Sequence, residues 1–118
     1  LGLWNPVTKI LDPICKACLE LVVGSSFITN LNQGGDTVPG VEYSFIVSRT
    51  DEIITPWTSG ILRDKNPSAK TTILQDICPL DFAEHLTVMF DPIVFHKMDA
   101  FFTPTANQLV TCFDGFDR

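Results

Sequence analysis

The sequence predicts an α/β fold built on a pair of parallel strands. Two observations carry that prediction. The periodicities run helix, helix, strand, long connection, strand, helix, the order that places helices against a parallel sheet. The run Phe45-Ile46-Val47 is apolar on both faces, as in a parallel strand covered on both sides. Two or three strands do not complete such a sheet. The 118 residues therefore read as the closing portion of a larger α/β fold, a parallel sheet with flanking helices.

The elements follow in order. Asp12-Pro13 supplies a cap and a first-turn proline, and Ile14, Ala17, Cys18, Leu21 and Val22 recur at helical spacing. Gly24-Ser25-Ser26 interrupts this helix. A short second helix, Ser26 to Leu31, stops at the turn-rich Asn32-Gln33-Gly34-Gly35. Val41 to Ser48 is rich in β-branched and aromatic residues and reads as the first strand. A connection from Ile53 to Pro67 leads to a second strand, Thr71 to Asp76, and then to a loop, Ile77 to Leu80. Asp81, with Glu84 three positions on, predicts a capped helix. Asp91-Pro92 starts another, whose apolar face holds Ile93, Val94, Phe95, Met98, Phe101 and Phe102. That face reads as core, with a lipid-facing surface as the alternative. Leu109 to Phe113 reads as strand-like.

Composition narrows the function classes. Lys and Arg number 8 against 14 Asp and Glu, a net charge of −6. An acidic chain repels phosphate backbones, which argues against a nucleic-acid partner. No apolar run approaches the length of a membrane span. Yet 45% of residues are hydrophobic, only 19% are charged, and the mean hydropathy is +0.21, high for so small a chain. The first residue is Leu1, which suggests processing or a longer precursor.

Cys15, Cys18, Cys78 and Cys112 make an even count in a short chain, which fits two disulfides and a secreted, extracellular location. Three pairings are open, and buried free thiols are the plain alternative. Cys15-Lys16-Ala17-Cys18 also has the spacing of a thiol-disulfide oxidoreductase, although no strand leads into Cys15. A zinc site would need paired ligand spacing, which Cys78 and Cys112 lack, so no metal and no cofactor is expected.

The strongest chemical candidate is Asp51 with His85. Asp51 follows the first strand and His85 follows the second, so parallel neighbours would bring both to the carboxyl edge of the sheet. There the carboxylate can fix the imidazole tautomer and stabilise the imidazolium of a general base. The alternative is a capping Asp and an unrelated surface His. Trp57 and Ile53, close to Asp51, are candidate substrate-pocket residues. His96 reads as a structural or surface residue.

Several segments carry a resemblance to one family. Gly34-Gly35-Asp36-Thr37-Val38-Pro39-Gly40-Val41, Asp51-Glu52-Ile53-Ile54-Thr55-Pro56 and Leu74-Gln75-Asp76-Ile77-Cys78-Pro79, with Ala83-Glu84-His85 after it, resemble the C-terminal part of secreted bacterial and fungal lipases of the α/β-hydrolase superfamily. The likeness runs from about Cys18 to Phe90. It implies that Asp51 is the acid and His85 the base of a serine lipase or esterase acting without a cofactor on lipid or other carboxylic esters. It also implies a Cys18–Cys78 disulfide, with Cys15–Cys112 as its companion. The departure is equally clear: no Gly-x-Ser-x-Gly turn and no Gly-rich oxyanion segment occurs in residues 1–118. The nucleophile would then come from an N-terminal part of the same hydrolase, separate or missing. The alternative is a catalytically inactive interaction module derived from a lipase.

Overall fold

The computed structural model describes residues 13–63, 65–103 and 109–116. It divides into two compact units, residues 1–36 and 37–118.

The first unit holds α1 (Lys16–Glu20) and α2 (Ser26–Leu31). Cys15 caps α1, its sulfur accepting from the Cys18 amide at 3.2 Å. The Asp12 cap read from the sequence lies outside the described residues. Gly24, at φ +85°, breaks the helical run where only glycine turns without strain. Ser25 then caps α2 by accepting from the Ile28 amide at 3.1 Å. No described residue of this unit is fully buried.

The second unit contains mixed helices and a two-stranded parallel sheet, β1 (Tyr43–Val47) and β2 (Ala69–Ile73), in a register pairing Tyr43 with Ala69 and Val47 with Ile73. The parallel pairing read from the sequence is therefore present. Burial on both faces is not: Ser44, Lys70 and Thr71 are exposed and no strand residue is fully buried. The connection folds back over β1 through a turn at residues 57–60. A Cβ on Gly60 would stand 2.9 Å from a Val47 methyl carbon, so the close approach depends on glycine.

β2 ends earlier than its apolar pattern predicts. Leu74-Gln75-Asp76-Ile77 forms a single helical turn, α3 (Leu74–Ile77), closed by the Cys78 amide donating to the Leu74 carbonyl at 2.9 Å. The chain turns here so that Leu74 enters the core and Gln75 reaches back to the end of β1. The helix predicted after Asp81 is absent. Asp81 instead accepts from the Ala83 amide two residues on, and the Glu84 amide donates to the Thr87 hydroxyl. The Asp81 bond is the one a cap would make, but the first helical pair is taken elsewhere: the Asp81 carbonyl accepts from Gln75 and the His85 amide donates to Glu52, so no helical turn starts at Asp81.

α4 (Pro92–Phe102) begins as predicted. The Asp91 carboxylate accepts from the Ile93 amide at 2.7 Å, and Pro92 occupies the first turn. Beyond it, Leu109 to Phe113 is not a strand. The Asp114 carboxylate takes both the amide and the hydroxyl of Thr111, and residues 112–116 form a tight turn.

The core consists of Leu74, Cys78, Ala83, Ile93, Val94 and Val110, with Leu74 and Ile93 essentially sealed from solvent. Ile46, Ile77, Val88 and Cys112 pack against it. It lies at the carboxyl end of the strands, beneath the segments that bear Asp51 and His85.

Two disulfides are present: Cys15–Cys18, with Cα atoms 5.3 Å apart, and Cys78–Cys112, at 4.5 Å. All four cysteines are bonded, but not in the Cys18–Cys78 and Cys15–Cys112 pairs that the resemblance implies. The tail packs Val110 and Cys112 beside the buried Cys78, while Cys15 and Cys18 share one turn. Both spacings suit a bridge.

Candidate active site

β1 and β2 run side by side, so the loops after them emerge at one edge. The loop after β1 carries Asp51, and the segment after α3 carries His85. Their side chains meet: His85 Nδ1 lies 3.0 Å from Asp51 Oδ2 and 3.2 Å from Oδ1. The Asp51 side chain retains 15% of its accessible surface and the His85 side chain 37%.

Asp51 is held by its own loop. Its Oδ1 accepts from the amides of Ile53 at 2.9 Å and Ile54 at 2.7 Å. Partial burial is the largest single influence on the carboxyl and raises its pKa. The Ile54 amide, the His85 ring and the Ile53 amide together outweigh it, and the pKa is lowered. Asp51 is thus an anion with both oxygens engaged: both face the imidazole nitrogen, and Oδ1 also takes the two loop amides. A carboxylate in that place selects the tautomer with the proton on Nδ1 and leaves Nε2 as the basic nitrogen.

The segment below His85 is fixed by a polar network that sequence reasoning missed. Ser48 is buried and donates to the Ala83 carbonyl at 2.6 Å. Thr50 donates to the same carbonyl at 2.8 Å. The Gln75 amide nitrogen donates to Ser48 Oγ at 2.9 Å and to the Asp81 carbonyl at 3.1 Å, while its oxygen accepts from the Arg49 amide at 2.8 Å. One side chain therefore ties the end of β1 to the His85 segment. The available signal was polar residues, Ser48, Thr50 and Gln75, at the carboxyl ends of two apolar strands.

Trp57 is half-buried under the Arg49 guanidinium, whose carbon stands 5.4 Å from the ring centroid. Ile53 is exposed beside Asp51. A cavity of about 440 Å³ bounded by Thr37, Gly40 and Asn66 to Ser68 opens at the other, amino end of the strands. His96 is half-buried on α4, and its attraction contributes to the lowered pKa of Asp114, behind the larger effects of the Thr111 amide and hydroxyl.

Among the described residues, no serine hydroxyl bonds to His85. Ser48, the nearest in the network, spends its proton on the Ala83 carbonyl. No cluster of three or more His, Cys, Asp or Glu side chains is placed to hold a metal, and no helix is long and apolar enough to cross a membrane, again among the described residues. Comparison with protein-family models and with curated proteins finds no match.

Proposed function

We propose that the chain is the acid- and base-bearing C-terminal part of a secreted serine hydrolase of the α/β-hydrolase class, a lipase or esterase, whose nucleophile sits on a further, N-terminal part. One observation carries this reading: Asp51 and His85 meet at 3.0 Å at the carboxyl edge of adjacent parallel strands. In the reaction, Nε2 of His85 takes the proton of a serine hydroxyl as its oxygen attacks an ester carbonyl. Asp51 stabilises the imidazolium. The proton then passes to the departing alcohol, and water releases the acyl group by the same route.

Two further features support the reading. The segment around His85 exposes Phe82, Leu86 and Phe90, apolar surface suited to an apolar substrate or to the rest of the hydrolase. The two disulfides fit an oxidising, extracellular setting.

The test is fluorophosphonate labelling of the protein purified from its source with any chain or segment bound to it. A labelled serine outside residues 1–118 is expected, and His85→Ala should abolish labelling while circular dichroism stays unchanged. Labelling that persists in His85→Ala, or no labelled serine in any preparation, would remove the hydrolase reading.

A further inference from the structure

Asp51 and Glu52 are adjacent in sequence, and their carboxylates meet His85 at different atoms. Asp51 takes the ring nitrogen Nδ1. Glu52 Oε2 accepts from the His85 main-chain N–H at 3.1 Å. The flanking residues are held by other groups: the Ala83 carbonyl accepts from Ser48 and Thr50, and the Glu84 amide donates to Thr87.

The double grip matters because the imidazole is poorly packed. With 37% of its side chain accessible, surrounding atoms do not by themselves select its rotamer. Four bonds separate the main-chain nitrogen from Nδ1. Fixing both ends of that path leaves χ1 and χ2 almost no freedom. Asp51 alone fixes only the far end. If the main chain at His85 drifts, the ring must either follow or release the carboxylate.

We propose that Glu52 is a positioning residue for His85: its carboxylate anchors the His85 amide to the acid loop, so that acid and base move as one body and the ring nitrogen stays on Asp51. The contact with Glu52 stands independently, while its value to catalysis rests on the hydrolase reading above. Glu52 does not touch the reacting atoms.

The test uses the whole 118-residue chain, ¹⁵N-labelled, with two readouts: hydrogen exchange of the His85 amide, and the ring ¹⁵N shifts with the Nδ1 proton signal. Glu52→Ala should speed exchange of the His85 amide about fivefold, the loss of one ordinary hydrogen bond, and should average the ring toward mixed tautomers. Glu52→Gln keeps an oxygen acceptor and should restore both. Asp51→Asn should remove the ring preference while leaving amide exchange as in the parent. Leu74 and Ile93 methyl signals report that the core is intact.

Parent-like exchange of the His85 amide in Glu52→Ala would overturn the proposal, and so would a parent-like ring signal where the parent shows an Nδ1–H preference. So would failure of Glu52→Gln to restore, since charge rather than the acceptor would then matter. A parent chain lacking any Nδ1–H preference, and identical to Asp51→Asn, would instead strike the Asp51–His85 pair, with the amide readout still deciding whether Glu52 holds the main chain.

Discussion

The two disulfides should differ sharply in what they contribute, and the difference can be worked from their spans. Cys78 and Cys112 are 34 positions apart and enclose the His85 segment and α4. The chain-entropy relation for a loop of that length gives about 4 kcal/mol of stabilisation through the unfolded state. Cys15 and Cys18 are 3 positions apart. The same relation gives under about 2 kcal/mol, and short stiff loops depart from it. Paired serine replacements, C78S/C112S and C15S/C18S, compared by equilibrium urea unfolding with circular dichroism, should therefore show a loss of about 4 kcal/mol for the first and under about 2 kcal/mol for the second. Under the crossed arrangement, Cys18–Cys78 with Cys15–Cys112, each double replacement would break both bridges and the two losses would be alike. Equal losses, or a proteolytic peptide joining Cys18 to Cys78, would refute the pairing and the argument built on it.

Two further perturbations address packing and charge. Leu74 is sealed in a core of six buried side chains among the described residues, so Leu74→Ala should cost about 3 kcal/mol, the lower part of the range for buried leucines because a small cluster can partly collapse; a loss under about 1 kcal/mol in urea unfolding would show that Leu74 is not central to it. Asp91 has a raised pKa, first from burial and then from the neighbouring Asp81 carboxylate. A carboxyl raised in the folded state contributes stability at low pH that is lost as pH climbs from its ordinary value through the folded one. Asp81→Asn keeps an oxygen for the Ala83 amide and removes the repulsion. Its stability in urea unfolding should exceed the parent's at neutral pH by less than about 1 kcal/mol, with the gain vanishing once the pH is low enough to protonate the carboxyls. Asp51 and Asp114, both lowered, act in the opposite sense: their contribution is present above the ordinary carboxyl range and fades as pH falls through their folded values. A pH-independent gain in Asp81→Asn would show that its charge is not what raises Asp91.

The parts of the fold legible in sequence are those decided within a few residues. Asp91-Pro92 starts a helix because the cap and the fixed proline φ act locally. The parts that misled are decided by distant partners. Ile73 to Asp76 reads as continuing strand, yet Gln75 turns inward because Ser48 and the Asp81 carbonyl await it. Asp81 offers a helix cap, but the carbonyl of Asp81 and the amide of His85, which would form the first helical bond, are taken by Gln75 and Glu52. Leu109 to Phe113 has strand composition, but Asp114 occupies the Thr111 amide that a ladder would need. Asp51 and His85 were legible because parallel neighbours bring successive loops to one edge. Glu52 was not, since its contact with the His85 amide depends on how far each loop reaches. Cysteine pairing was not, because four cysteines allow three arrangements and spacing alone ranks none.

Part of the exposed apolar surface falls on the segment that carries His85. Residues 80–90 are divided by side. Ala83 is buried toward the core and its carbonyl is gripped from β1, while Leu80, Phe82, Leu86, Met89 and Phe90 are exposed. A self-contained surface loop has little reason to hold so many large apolar side chains in water. His85 sits among them with its acid in place and no serine beside it. Under the proposed reading both deficits have one remedy. A segment that covers Phe82, Leu86 and Phe90 would also exclude water from the imidazole, and it is the segment from which a nucleophile could reach Nε2. That ties the two halves of the proposal to a single outcome: labelling of a serine should be accompanied by protection of these apolar residues, and labelling with Phe82, Leu86 and Phe90 still fully accessible would mean the nucleophile arrives from elsewhere.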